Sequence, residues 1–433
     1  MPIATSWLLY GGLMMGIWGL YAFFKNRGEG ETIAMKQAAI DAGLAEPVSL
    51  HPLIDPAKCL GCATCVRACP EQTVLGTIAG KAELIEPSHC IGHGACATSC
   101  PTKAITLVFG TAKRGLDIPQ VGPDFQTNVP GIFIAGELGG MGLIRNAVQQ
   151  GRQAVEAAAK RGRADGQALD LVIVGAGPAG LAGALAAKAA GLRYTVIEQD
   201  DLGGAVFKYP RSKIVMTAPF NLPIVGPVNF RETTKEALLQ FWKGVEAREG
   251  LNVRFRERVD LIERSGEMFE VYTTAGTLSC KSLLLAIGRR GTPRKLGVAG
   301  EDLPKVVYQL IDAEQYRGMK VVVVGGGDSA LEAAATIAEQ PGTTVILSYR
   351  STAFSRAKPK TRDRVERLRQ AGHLTVLMPS NITSIAAETI EIESSGRREN
   401  FANDAVIICT GGALPTDFLN RTGIAMETKY GTA

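Results

Sequence analysis

A run of cysteines limits this chain more tightly than any other feature. Cys59, Cys62, Cys65 and Cys69 precede Pro70 in the spacing C-x2-C-x2-C-x3-C-P, the pattern in which three thiolates hold one iron-sulphur cluster and the fourth reaches a second. Seven of the nine cysteines fall between Cys59 and Cys100. A shift of 31 residues maps Ile54-Asp55-Pro56 onto Ile85-Glu86-Pro87, Cys59 onto Cys90, Cys65 onto Cys96, Cys69 onto Cys100 and Pro70 onto Pro101. The segment is therefore an internal duplication. Zinc held by the same cysteines is the rival reading, and the flanking Ile-acid-Pro and Cys-Pro elements speak against it.

Over residues 49–108 the duplication resembles the bacterial two-cluster ferredoxins. The resemblance implies crossed ligation, with one [4Fe-4S] cluster on Cys59, Cys62, Cys65 and Cys100 and a second on Cys69, Cys90 and Cys96. At the fourth ligand of the second cluster the chain departs from the family, because the shift carries Cys62 onto His93. Imidazole can ligate iron, and exchanging an anionic thiolate for a neutral ligand raises the potential. A [3Fe-4S] centre with His93 merely nearby and outright loss of the cluster both stay open, and His89 is a weaker candidate ligand.

Ahead of the cysteines, residues 7–24 are 18 uncharged, mostly apolar positions. As a helix they would rise roughly 27 Å and just cross the hydrocarbon core. No basic region precedes the stretch and no small-residue cleavage site follows it, which separates it from a signal peptide. Lys25 and Arg27 come directly after, so the positive-inside rule puts the N-terminus outside and the remaining domains in the cytoplasm. The expectation is a single-pass anchor in the cell membrane, and a cytoplasmic location argues against disulfides. Gly12 and Gly16 form a GxxxG pair that could meet another helix or simply face lipid.

The 433 residues leave room for two or three compact units. Their 50 glycines suggest repeated close approach of backbone to ligands, and the net charge of +5 with no basic run interleaved with aromatics argues against nucleic acid. Two segments use the glycines. Residues 171–174 read as a buried strand, followed by Gly175-Ala176-Gly177-Pro178-Ala179-Gly180, an alanine-rich helix and a strand closed by Glu198. Strand, glycine turn, helix and acid make a dinucleotide fingerprint, in which the turn receives a pyrophosphate and the acid receives ribose hydroxyls. A second copy starts at 321–324 and continues Gly325-Gly326-Gly327-Asp328-Ser329-Ala330. Its following strand ends not in an acid but in Ser348-Tyr349-Arg350, with Arg356, Lys358 and Lys360 beyond. Cations there suit the 2'-phosphate of NADPH over NADH.

With Ala286-Ile287-Gly288 after the first site and Thr410-Gly411-Gly412 after the second, residues 112–433 resemble the thioredoxin reductase-like flavoproteins. The resemblance implies FAD on the first site and NADPH on the second. Two departures qualify it. That family closes its FAD domain with a C-terminal strand, a Gly-Asp turn and a helix, whereas here the matching stretch is upstream at 127–150, with Gly136-Glu137 as the turn. A circular permutation is implied, with 161–170 as the new linker. The family's redox-active C-x-x-C is also missing, since the stretch before Gly325 runs Tyr308-Gln309-Leu310-Ile311-Asp312-Ala313-Glu314. Cys280 and Cys409 stand alone on strand-like segments.

The expected fold class is α/β: two Rossmann-like domains, a small α+β ferredoxin domain and one transmembrane helix. The expected organisation is an anchor (1–27), a linker helix (28–48), the ferredoxin domain (49–108), the permuted element (112–160), the first part of the FAD domain (168–295), the NAD(P)H domain (296–412) and a return to the FAD domain (413–433). The expected function is an NAD(P)H-dependent FAD and iron-sulphur oxidoreductase. Its partner would be a membrane-bound or soluble redox protein, such as a cytochrome, a quinone complex or a ferredoxin, and a homodimer is left open. No protein acid, base or nucleophile is sought, because the flavin itself converts two-electron into one-electron traffic. A low-molecular-weight disulfide reductase, of the kind that lacks C-x-x-C in the bacillithiol system, is one rival. A non-enzymatic electron-relay subunit is another.

Overall fold

The computed structural model describes all residues except 1, 43, 48, 49, 72, 91, 93, 112–114, 141, 218, 290–292, 432 and 433, and leaves out the side chains of 2–9, 11, 21, 22, 24–26 and 216. Two compact units divide the chain. One comprises Met1–Lys113 with Ala353–Pro359 and Gly431–Ala433, the other Arg114–Thr352 with Lys360–Tyr430.

The first unit opens with a single helix, α1 (Pro2–Asp41), so the anchor and linker expected as two segments are one continuous element. Its later turns rest on the small domain. Lys36 pairs with Glu83 at 2.5 Å, Glu29 accepts from the Ala79 N–H at 2.7 Å, and a Cβ at Gly76 would stand 2.5 Å from the Thr32 methyl. Among the described residues no helix is long and apolar enough to cross a membrane. The span expected over 7–24 falls partly on side chains outside the description. Those described, Tyr10, Leu13, Met14, Met15, Ile17, Trp18, Leu20 and Phe23, are each at least 60% exposed.

Beyond α1, β1 (His51–Ile54), α2 (Thr64–Ala68), the hairpin strands β2 (Leu75–Ile78) and β3 (Lys81–Leu84), α3 (Ala95–Thr98) and β4 (Ile105–Val108) form the small domain. β1 pairs antiparallel with β4, His51 opposite Val108. The duplication is legible in the backbone. Gly61 and Gly92 share φ near +70° (+67° and +75°), and Ala63 and Gly94, each just before its helix, share the left-handed region at +56° and +78°.

The second unit begins with β5 (Leu116–Pro119), β6 (Ile132–Ile134) and α4 (Ile144–Ala159), then β7 (Leu169–Val174), α5 (Pro178–Ala189) and β8 (Tyr194–Glu198). The main sheet has seven strands among the described residues. In order these are Val253–Phe255, β8, β7, Gly276–Leu285, Met268–Thr273 and Val259–Ser265, with β6 pairing in parallel with the end of Gly276–Leu285. The stretch predicted upstream of the fingerprint thus takes a place in the fingerprint's own sheet. α4 turns Ala147, Val148, Gly151, Ala154, Val155 and Ala158 inward at three- and four-residue spacing. That face shares a core with Leu181 and Leu185 of α5. The two helices touch closely enough that a Cβ at Gly151 would lie 2.0 Å from the Ala179 carbonyl oxygen.

A second, all-parallel sheet runs Val306–Val307, Ala405–Ile408, Lys320–Val324, Thr344–Ser348, Leu374–Leu377, with the antiparallel strands Ser380–Ile385, Thr389–Ser394 and Arg397–Ala402 beside it. After it the chain returns to the first sheet's neighbourhood. Met426–Lys429 pairs antiparallel with β5, Lys429 opposite Leu116, and Asn128 is bonded to the backbone at both Gly423 and Ala425.

Candidate functional site

In the small domain, Cys59, Cys62, Cys65 and Cys100 line one cavity, walled also by Leu60, Ala82, Pro101 and Ile105. Among the described residues no three His, Cys, Asp or Glu groups close on a single ion. A cubane cluster asks instead for separated thiolates around a space, one for each iron, and this cavity has them. The Ala82 N–H donates to the Cys59 sulphur at 3.4 Å and the Ala104 N–H to the Cys100 sulphur at 3.3 Å. Hydrogen bonding to the Thr64 and Thr102 side chains holds the free thiols of Cys62 and Cys100 below their ordinary pKa. Burial pushes Cys69 and Cys96 up, and Cys90 to about 11, with Cys96 and Cys69 adding to the rise at Cys90. Cys62 lies within electrostatic reach of Cys100, Cys65 of Cys59 and Cys100, and Cys90 of Cys69 and Cys96, while Cys96 is reached by both Cys69 and Cys65.

His93 lies outside the described residues. Of His89, the Nδ1 is 2.8 Å from the Thr73 hydroxyl and 3.0 Å from Glu86.

At the first dinucleotide turn, Gly175 has φ +103°, and a Cβ at Gly180 would be 1.8 Å from the Gly175 oxygen, so the start of α5 can sit on the strand end only without a side chain. Gly177 is the N-cap and Pro178 the first helical residue, leaving the free N–H groups of α5 directed outward. The buried Glu198 carboxylate accepts from Ala176 N–H at 2.7 Å and Asp200 N–H at 2.9 Å, which fixes it beside the turn. Gly136 donates to Gln150 at 2.9 Å, and its Cβ position lies 3.2 Å from the Ala179 methyl. The Glu137 carboxylate stands 4.0 Å from the Cβ position of Gly288. Gly136-Glu137 and the fingerprint are thus brought together at the C-terminal ends of β6, β7 and Gly276–Leu285, where open α/β sheets bind ligands.

At the second turn Gly325 has φ +143° and Gly327 caps the helix Asp328–Ala338, which carries Ser329 and the buried Ala330. A Cβ at Gly326 would fall 2.3 Å from the Tyr349 ring, so the ring lies flat on the glycine turn. Where an acid would end the next strand, Ser348 is fully buried and bonded to Ser380 at 2.8 Å. Arg350 belongs to the second unit and Arg356 to the first. The stretch before this turn carries no dithiol. Tyr308 donates to Glu301 at 3.0 Å and Asp312 caps the short helix Ala313–Tyr316. Cys280 is wholly buried, and burial pushes its thiol up to about 12.

Sequence reasoning did not single out Gly151 or Arg289. A glycine inside an alanine-rich helix and an arginine after a strand carry no motif, and their importance shows only when two distant segments meet.

Two dinucleotide folds in one unit, each with its glycine turn at a strand end, define a two-nucleotide oxidoreductase. The chain belongs to the pyridine nucleotide-disulphide oxidoreductase family, whose model matches residues 172–432. Residues 51–101 match the 4Fe-4S dicluster domain. A ferredoxin–NADP reductase of Ignicoccus hospitalis is 33% identical over 267 residues, 60% of this chain and 83% of that protein. The bacilliredoxin reductase Bdr of Bacillus subtilis is 27% identical, covering 60% of this chain and 82% of that protein. Among solved structures, the bacillithiol disulfide reductase Bdr (YpdA) from Bacillus cereus superposes with a TM-score of 0.55 at 27% identity, over 59% of this chain and 82% of that one. The chain is an FAD-dependent pyridine nucleotide oxidoreductase with an iron-sulphur domain.

Proposed function

We propose that this enzyme takes hydride equivalents from NADPH at the second glycine turn, receives them on FAD at the first, and passes single electrons to two clusters held in the small domain. The carrying observation is the cavity among Cys59, Cys62, Cys65 and Cys100 in a chain whose flavoprotein part has no dithiol. A ferredoxin–NADP reductase is named for a ferredoxin partner, and here a ferredoxin-like segment is part of the same polypeptide.

The protein's share of the work is positioning. The N–H groups at the start of α5 and of Asp328–Ala338 face the two pyrophosphates, Glu198 takes ribose hydroxyls, and Glu137 stands at the flavin end. Arg350, just past the end of the strand Thr344–Ser348, carries the preference for a 2'-phosphate. Bound FAD supplies the conversion between two-electron and one-electron chemistry. At the second cluster His93 would serve as a neutral ligand in place of a thiolate, which would raise the potential.

The FAD site is a circular permutation of the family's. Support comes from β6 and α4, which precede the fingerprint yet lie in its sheet and core, and from the strand pair β5 and Met426–Lys429. Lys429 faces Leu116 across that pair, so the chain is open where a hairpin turn would join them. β6 and α4 fall outside the family match at 172–432. The enzyme sits at the cell membrane with its domains in the cytoplasm, on the strength of the apolar, exposed side chains of α1 and the basic residues after them. Its electrons leave to a membrane-bound or soluble redox protein.

Full-length wild type and Cys59→Ser, Cys100→Ser variants, supplied with NADPH and a one-electron acceptor protein, test the route. Flavin bleaching should persist in both variants while acceptor reduction falls by more than tenfold. A second reading, disulfide reduction, is favoured by the likeness to bacilliredoxin reductase. Thiol release from a low-molecular-weight disulfide at full rate in the same variants would select it instead.

A further inference from the structure

Arg289 leaves the C-terminal edge of the main sheet four residues after the strand Gly276–Leu285. Its Nη2 donates to the Asp117 carbonyl on β5 at 2.9 Å. Its Nη1 is buried and has no hydrogen-bond partner among the described residues. Burial lowers the guanidinium pKa, opposed by Glu137 and Asp117, yet an arginine keeps its charge at any working pH. A charged donor is therefore held in place by one nitrogen while another meets no acceptor among the described residues. Buried donors of this kind have an acceptor when the molecule is complete.

The order of strand ends says what that acceptor is. Along the sheet edge come β8, β7, Gly276–Leu285 and then β6. Glu198 on β8 marks the adenosine ribose, and the Gly175 turn after β7 marks the pyrophosphate. A dinucleotide laid along that edge places its flavin half over the next two strand ends, the ones that deliver Arg289 and Glu137. The acceptors on that half are ribityl hydroxyls and the pyrimidine edge of the ring, where negative charge gathers on reduction. A guanidinium is matched to the second kind.

We propose that Arg289 is a positioning and charge-setting residue for the cofactor: its Nη1 donates to the pyrimidine edge of the bound flavin, with Glu137 as the opposing charge, so that the pair sets the flavin's midpoint potential. The inference rests on the FAD reading above and goes one step past it. β5, which meets Arg289 through the Asp117 carbonyl, pairs antiparallel with Met426–Lys429. The flavin's electrostatics are thereby tied to the segment that follows the cluster domain in sequence.

The test uses the full-length holoprotein and two readouts, FAD content per chain and the flavin midpoint potential from dye-equilibrated titration. Arg289→Gln should shift the midpoint to more negative values, Arg289→Lys should shift it less, and Glu137→Gln should shift it the opposite way. If Arg289→Gln does not yield folded protein, the opposite signs of Arg289→Lys and Glu137→Gln carry the test. Wild-type midpoints in the variants, or a loss of FAD from Arg289→Gln with the bound fraction unshifted, would overturn the inference and put Nη1 on a hydroxyl or phosphate. A wild-type protein that binds no FAD at all would overturn the FAD reading itself, and the inference with it.

Discussion

At the scale of single residues, the buried thiol of Cys280 carries a pH signature of its own. Cys280 lies in the sheet core with its thiol at about 12. Below pH 9 it is neutral folded and unfolded, and its burial contributes in full. Above pH 9 the unfolded chain ionises while the folded one does not until near 12, so that contribution is lost as pH rises through this window. Between pH 9 and 11 the unfolding free energy of wild type should fall more steeply than that of Cys280→Ala, by about 1.4 kcal/mol per pH unit. Parallel slopes in denaturant titrations would show that the thiol is not buried. Arg350 belongs to the same scale. A charge-assisted bond to a 2'-phosphate is worth about 1.5–3 kcal/mol, so Arg350→Gln should raise KM for NADPH at least tenfold and leave KM for NADH nearly unchanged. Steady-state kinetics with both nucleotides decides it, and equal changes would remove the cofactor preference from this residue. The fingerprint glycines, Glu198 and the cysteine spacing were legible because motif chemistry is local. Arg289, Gly151 and the ring of Tyr349 over Gly326 were not, because each matters through a neighbour remote in sequence, and no period or spacing records that.

At the scale of elements, the strand and helix within 127–150 were expected to supply an end of the FAD domain, since Gly136-Glu137 follows a strand and precedes an amphipathic helix, and the structure puts β6 in the main sheet and α4 against α5. What could not be read was how they fit. α4 meets α5 at Gly151 with no room for a methyl group, the Ala179 carbonyl oxygen being 2.0 Å from the Cβ position. Backbone cannot give way as a side-chain end can. Gly151→Ala should force the helices apart and displace Gly136-Glu137 from the fingerprint, lowering FAD content several-fold and destabilising the unit by about 1–3 kcal/mol. Iron and sulphide content should stay at the wild-type level, because the cysteine-bearing elements form a separate unit. Parallel flavin and iron assays on one preparation check both halves of this expectation, and retention of FAD would contradict it. α1 went the other way. Two segments were expected and one helix was found, because nothing between Phe24 and Asp41 breaks a helix: no proline occurs there, and Gly28 and Gly30 alone do not stop it.

At the scale of the whole molecule, the chain joins two kinds of redox machinery whose usual boundary lies between separate proteins. The sequence announced both, through a duplicated cysteine run and a duplicated glycine turn. The chain divides between residues 113 and 114, apart from Ala353–Pro359 and Gly431–Ala433, which group with the first unit. The proposed route takes electrons from the flavin of one unit across to the clusters of the other. An anaerobic titration of the full-length protein with NADPH, followed optically for the flavin and by electron paramagnetic resonance for the clusters, tests that crossing most directly. The account predicts that the flavin absorbance bleaches and that reduced-cluster signals then grow with no ferredoxin or mediator added. A flavin that NADPH bleaches fully, beside clusters that stay oxidised until dithionite is supplied, would contradict it.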